Sequence, residues 1–238
     1  MKIQRVVTKH LVFDLDDRFW NSQQRWAQKD IVLVFLETDN SLLGVGEAWT
    51  GGGSPQALIQ TIDDDLAPRL IGKDPRQHNR IFSDVWQTTS LSGRRGIISA
   101  ALSAVDMALW DLVGKSLQTP VYELLGIYSD QVPCYASAGL YGKDKDQHAL
   151  ADEMRGYLNQ GFSDVKMKVG GVPLDQDLER VKAVREAIGP SARLMVDANY
   201  TLNVPRSFKM ASAFEPYDVY WFEAPVFPDD LLGQAKVN

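Results

Sequence analysis

The sequence predicts an α+β unit followed by an α/β unit that forms the opening half of a parallel β/α barrel. The first observation is a set of three strand-like runs, each carrying charge near its end. They read Asp-Val-Lys-Met-Lys-Val at 164–169, Arg-Leu-Met-Val-Asp-Ala-Asn at 193–199 and Val-Tyr-Trp-Phe-Glu-Ala-Pro at 219–225. Lys166, Asp197 and Glu223 stand 31 and 26 residues apart. That is about one strand, one helix and two turns, the repeat of a parallel barrel whose functional groups sit at the C-terminal strand ends. The second observation is that strands come first and helices follow up to about residue 125, the order of an α+β unit. The third is strict alternation of strand and helix from about 133 onward.

Each element has a local reason. Residues 2–13 and 31–37 are β-rich, and Leu-Gly-Val-Gly-Glu-Ala-Trp at 43–49 follows a turn at Asp39, Asn40 and Ser41, so the opening reads as a three-stranded antiparallel meander. Ser54-Pro55 starts a helix over 55–70, with proline at its first position and Gly72 beyond its end. A second helix is expected over 75–88. Ile98, Leu102, Val105, Leu109 and Leu112 form one apolar stripe, which predicts a helix over 97–113 ending at Gly114-Lys115. A short helix runs from Thr119-Pro120 to Leu125-Gly126. Strands are then expected at 133–137, 164–169, 193–197 and 219–223, with helices at 145–160, 174–188 and 204–214 between them.

Composition bounds the function. With 238 residues, 45% hydrophobic and 24% charged, the chain has material for one large domain or two smaller ones. A net charge of −6 argues against a broad nucleic-acid surface, and no Lys/Arg-rich run supplies a local one. The N-terminus lacks the apolar stretch of a signal peptide, and no uninterrupted apolar run approaches membrane-spanning length, so the expectation is a cytoplasmic protein without membrane contact. One cysteine, Cys134, excludes an internal disulfide and reads as a buried spectator thiol.

Strand alternation puts Lys166 and Lys168 on one face and Met167 on the other. Two ammonium groups so close, and partly buried, disfavour each other's protonation, so at least one is expected to titrate below the ordinary lysine range and to serve as a base. Pairing with carboxylates at an edge explains the same residues without catalysis. Asp197 and Asn199 share a face, and Glu223 ends the next strand. Carboxylates on neighbouring strand tips suit Mg²⁺, and they equally suit salt bridges to the lysines. The succession Lys-x-Lys, Asp-x-Asn and Glu, one β/α unit apart, is far more specific than any member. Residues 14–30 break the strand pattern with polar and aromatic groups, among them Arg18, Trp20, Arg25 and Trp26; they read as substrate contacts or as a plain surface loop. Thr-Gly-Gly-Gly-Ser at 50–54 lacks the Gly-Lys-Ser/Thr that would make it a phosphate loop. His10, His78 and His148 lie away from the strand tips and read as structural or surface residues.

On these residues, and on the helix Ala-Leu-Ser-Ala-Val-Asp-Met-Ala-Leu-Trp-Asp-Leu-Val-Gly-Lys at 101–115, the chain resembles the enolase superfamily, specifically its mandelate racemase and muconate lactonizing branches. The resemblance spans almost the whole chain. It implies an α+β capping domain over 1–125 and the N-terminal half of a modified (β/α)8 barrel over 126–238, with 14–30 and 50–54 as loops over the barrel mouth. It further implies that Lys168 removes the proton α to a substrate carboxylate, that Lys166 contacts that carboxylate and lowers the pKa of Lys168, that Asp197 and Glu223 bind Mg²⁺, and that Asn199 contacts substrate or supports the metal. The substrate would be a small acid, most in keeping with dehydration of a sugar acid through an enediolate; racemization, epimerization and cycloisomerization are the alternatives, and a homo-oligomer is expected.

The next strand tip would fall near residue 250, beyond Asn238, which leaves four of eight strands. The third metal ligand and the later acid of the resembled family are not in this sequence. The expectation is a fragment of a longer enzyme, or a product completed by another chain, with little or no turnover of its own. Two readings from other classes stand beside it: a non-catalytic binding protein, and a Schiff-base enzyme using Lys166 or Lys168 as nucleophile.

Overall fold

The computed structural model describes residues 1–51, 54–93 and 95–238. Gly52 and Gly53 of the 50–54 loop lie outside the described residues. In chain order the strands are β1 (Ile3–Asp14), β2 (Phe19–Trp20), β3 (Gln28–Thr38), β4 (Leu43–Ala48), β5 (Ala136–Ser137), β6 (Tyr141–Gly142), β7 (Asp164–Lys168), β8 (Arg193–Asp197) and β9 (Val219–Glu223). The helices are α1 (Pro55–Gln60), α2 (Ala67–Leu70), α3 (His78–Thr88), α4 (Ile97–Leu117), α5 (Val121–Leu124), α6 (Gln147–Asn159), α7 (Leu174–Ile188), α8 (Val204–Phe214) and α9 (Leu231–Val237). One compact unit comprises Met1–Asp14 and Gln28–Asp130, and a second comprises Leu15–Ala27 and Gln131–Asn238.

In the first unit β1, β3 and β4 form the expected antiparallel meander in the order β1-β3-β4. Along β3 the period of two buries Val32, Val34 and Leu36 completely. They share a core with Leu58, Ile62 and Leu66 and with the apolar stripe of α4. α4 lies unusually close to β4, because Gly44 and Gly46 present no side chain: a Cβ built on them would stand 2.3 Å from the Ala108 carbonyl oxygen and 1.9 Å from that of Ala104. The helix over 55–70 is present, but a π turn at Thr61–Leu66 separates α1 from α2. The proline two residues beyond, Pro68, has no N–H to give and crowds the carbonyl four residues back, which a widened turn accommodates. α4 runs three residues past Gly114, to Leu117, and stops where Gln118 adopts φ +53. By length and composition α4 would span a membrane; here residues such as Leu102, Val105, Leu109 and Leu112 are buried in the protein core.

In the second unit β5, β7, β8 and β9 form a parallel sheet in that order, with α6, α7 and α8 in the connections. One face is apolar. Val165, Met167, Leu194 and Val196 are fully buried in one core with Leu150 and Met154 of α6, Val181 and Val184 of α7, and Met210 and Phe214 of α8. This is the sequence-expected four-stranded succession, with β5 shorter than anticipated. Only Ala136 and Ser137 join the ladder, and Cys134, just before them, is exposed rather than buried. Unexpected from sequence are α9 and the short antiparallel pairing of β2 with β6, Phe19 opposite Gly142 and Trp20 opposite Tyr141. That pairing fastens residues 15–27 to the unit that carries the parallel sheet.

Candidate active site

The parallel register places Lys168 opposite Asp197, and Asp197 opposite Glu223. Three adjacent strands therefore end in charge at one level. Met167 points into the core while both lysines turn to the other face, where they meet the carboxylates. Lys168 Nζ donates to Asp197 Oδ2 at 2.6 Å, Lys166 Nζ donates to Glu223 Oε2 at 2.7 Å, and Lys166 Nζ lies 3.6 Å from Asp197 Oδ2. Lys166 and Asp197 are buried at 7% and 2% exposure, and each is held there by a closer partner of opposite charge, Glu223 for Lys166 and Lys168 for Asp197. Asn199 closes the group: its amide N–H donates to Asp197 Oδ1 at 2.8 Å and its side-chain nitrogen to Asp197 Oδ2 at 3.3 Å.

The pKa expectation needs correction at Lys166. Burial by itself pushes this ammonium down, but the hydrogen bond and charge of Glu223, with the charge of Asp197, outweigh burial and hold it above the ordinary lysine value. Sequence reasoning named the carboxylates as possible partners of the lysines but drew the pKa expectation from burial and lysine–lysine repulsion alone, whereas at Lys166 the carboxylates prevail.

Among the described residues no group of three or more His, Cys, Asp or Glu side chains converges as a metal site. The donors at hand are the Asp197 and Glu223 carboxylates and the Asn199 side-chain oxygen, which is buried with no hydrogen-bond partner. Two carboxylates and an unpartnered amide oxygen make an all-oxygen set of the kind a hard divalent cation takes, and the set leaves coordination positions for water or substrate.

The loop residues stand apart from this cluster. Arg18 pairs with Asp16 at 2.8 Å and lines a surface cleft of about 520 Å³ with Phe19, Lys143 and Lys145. Trp20 stacks on Tyr141, with ring centroids 6.2 Å apart, and the Arg25 guanidinium lies 3.8 Å from the Trp20 ring centroid. Ser22 reaches the strand tips directly, donating to the Ala198 carbonyl at 2.6 Å, between Asp197 and Asn199. Of the histidines, His10 bonds Asp30 and His78 bonds Asp106, both at 2.6 Å in the first unit, and His148 is exposed on α6.

Sequence reasoning overlooked a buried group beneath the tip of β7. Asp177 on α7, fully buried, accepts from the Tyr141 hydroxyl at 2.7 Å, from the Gly170 N–H at 2.7 Å and from Arg180 at 3.0 Å. Burial pushes the Asp177 carboxyl above the usual carboxylate range in spite of these donors. The spacing Asp177 to Arg180, one helical turn, allows a local ion pair but does not place it beneath the strand tip.

The residues at 18–126 match the family model for the N-terminal domain of mandelate racemase/muconate lactonizing enzymes, and those at 149–238 match the enolase C-terminal domain-like model. The chain belongs to the mandelate racemase/muconate lactonizing enzyme family of the enolase superfamily. It is 38% identical to a 3,6-anhydro-α-L-galactonate cycloisomerase of Streptomyces coelicolor, over 87% of this chain and 57% of that one. It is 35% identical to an arabinonate dehydratase of Saccharolobus solfataricus, over 87% of this chain and 56% of the relative. A crystal structure of a racemase from Streptomyces coelicolor with bound magnesium superposes with a TM-score of 0.91 at 35% identity, covering 99% of this chain and 66% of the other. The chain thus spans between half and two thirds of the length of these relatives. Relatives in the superfamily include sugar-acid dehydratases, cycloisomerases and a racemase.

Proposed function

We propose that this chain carries part of a site for removing the proton α to the carboxylate of a sugar acid, followed by loss of water. The observation that supports it most is the convergence of Lys166 and Lys168 on Asp197, with Glu223 at the same level on the next strand. Lys168 is the base in this reading. Its Nζ takes the α-proton, the C–H electron pair passes toward the carboxylate to give an enediolate, and the returning pair expels the β-hydroxyl as water once it is protonated. Lys166, held charged by its carboxylate neighbours, pairs with the substrate carboxylate and offsets the second negative charge as it develops. Magnesium held by Asp197 and Glu223, with Asn199 beside it, would supply Lewis-acid stabilisation of that same charge.

A second reading, cycloisomerization of an anhydro or lactone sugar acid, draws support from relatives at 38% and 34% identity that bear cycloisomerase names. It begins with the same proton removal and differs in which bond the enediolate breaks.

Calorimetric titration of magnesium into the 238-residue chain, beside Asp197→Ala and Glu223→Ala, tests the proposal. Specific binding lost in both variants is the expected result, together with solvent deuterium uptake at the α-carbon of an accepted acid. Binding that survives both substitutions, or a borohydride-trapped adduct at Lys166 or Lys168 with a ketone substrate, would overturn it in favour of a non-metal site or a Schiff-base lysine.

A further inference from the structure

A continuous stack joins the 15–27 segment to the backbone of Lys168. At its outer end the Arg25 guanidinium lies 3.8 Å from the Trp20 ring centroid. Trp20 stacks on Tyr141 with the ring planes 14° apart, and the Arg180 guanidinium lies 3.8 Å from the Tyr141 centroid. The order is cation, ring, ring, cation, and each cation–ring step falls within the range over which ring quadrupoles attract charge. At its inner end Arg180 donates to the Lys168 carbonyl at 2.9 Å and to the Gly139 carbonyl at 3.2 Å, and the Lys168 N–H itself donates to Gly139 at 3.2 Å. Asp177 fixes both inner members, accepting from the Tyr141 hydroxyl and from Arg180, while the Gly171 N–H donates to the Tyr141 oxygen at 2.9 Å. All these groups belong to the second unit.

The planar fork of a guanidinium is what the inner position requires. One Arg180 nitrogen must serve the Lys168 carbonyl and the Asp177 carboxylate while the other serves Gly139, and its flat face must lie on Tyr141. An ammonium cannot meet that geometry. We infer that Arg180 is a positioning residue for Lys168, and that the Arg25–Trp20–Tyr141–Arg180 stack registers residues 15–27 against the tip of β7, so that a shift of this segment is felt at the Lys168 backbone. The inference rests on the reading of Lys168 as the reacting lysine; without that reading the coupling is a mechanical property of the fold.

Amide hydrogen exchange on the full 238-residue chain, with neither metal nor substrate added, tests it. Trp20→Ala alters a partly exposed residue of β2 that is not among the hydrogen-bond partners of Lys168. It is expected to speed exchange of the Lys168 amide by about tenfold while the Val32 and Val34 amides of β3 and the Leu194 and Val196 amides of β8 keep their rates. Arg180→Lys, which keeps the charge and loses the fork, is expected to speed the Lys168 amide at least as much. A Lys168 amide unmoved in Trp20→Ala while the Phe19 and Trp20 region loosens would overturn the coupling, and wild-type rates in Arg180→Lys would overturn the positioning role. Because no metal enters the measurement, a failed magnesium titration would sink the reaction reading and leave this result standing.

Discussion

The two units solve the same packing problem, strands against helices, with different devices. In the first, β3 buries Val32, Val34 and Leu36 against helices, and its β4 neighbour yields room for α4 through Gly44 and Gly46. In the second, β7 and β8 bury Val165, Met167, Leu194 and Val196 against helices, and the opposite face carries Lys166, Lys168 and Asp197 in mutual contact. Where apolar packing is the aim, the chain removes side chains to bring backbones together. Where charge is kept out of water, each charge is held by another of opposite sign. The first arrangement is intolerant of added volume, and the second is intolerant of a missing partner.

The largest effect expected from this contrast is Gly46→Ala. The new methyl group would lie 1.9 Å from a backbone oxygen of α4, and backbone does not swing aside, so the first unit should lose about 3 kcal/mol or more. Urea unfolding followed by circular dichroism checks it, and a wild-type midpoint would show that β4 and α4 can part at little cost. Next comes Asp197→Ala, which strands Lys168 and leaves Lys166 only Glu223; removing one member of a buried pair costs about 3 kcal/mol. Here the exchange-protected amides of β7 and β8 should weaken while those of β3 do not.

The smallest effect expected sharpens the comparison from the surface. Asp74 caps the 3-10 turn before α3, and the guanidinium of Arg76 holds its carboxyl at about 2. A folded pKa below the unfolded value gives stability that is present above about pH 4 and lost as pH falls through about 2. Asp74→Asn should therefore cost about 1 kcal/mol or less at pH 7, the shift being discounted for an exposed pair, with the cost fading as pH falls through about 2. Thermal melts of both proteins across that range test the convergence.

Legibility from sequence followed how local the cause was. The bounds of α7, β8, α8 and β9 agree residue for residue with expectation, because the punctuation is adjacent: Pro173 before α7, Asn203 capping the Arg206 N–H at the start of α8, and Asp218 in a left-handed turn before β9. The convergence of Lys166, Lys168, Asp197, Asn199 and Glu223 was legible because a period of two within strands and a repeat of about thirty between them fix both face and level. The β2–β6 pairing was not, since two residues on each side leave no periodicity to read. Tyr141, Asp177 and Arg180 were missed for a related reason: their link depends on where a helix comes to lie under a strand tip, which spacing along one helix does not reveal. The exposure of Cys134 shows the converse. An apolar run was read as a buried strand, yet only its last two residues found a neighbour to pair with.

The close seat of α4 on β4 also sets a gauge. Gly44 and Gly46 are two residues apart on a strand, about 6.8 Å, and the carbonyls they face, Ala108 and Ala104, are four residues apart on a helix, about 6.0 Å. Two combs of nearly equal pitch mesh tooth for tooth over a short span and fall out of step beyond it. Sliding the helix by one residue would swing larger neighbours, Val105 or Leu109, toward the gaps that only a carbonyl fits. The helix is thereby keyed at one axial setting and one rotation, a setting that the Val45 N–H reinforces by donating to Asp111 at 2.9 Å and Lys115 by donating to the Leu43 carbonyl at 2.6 Å.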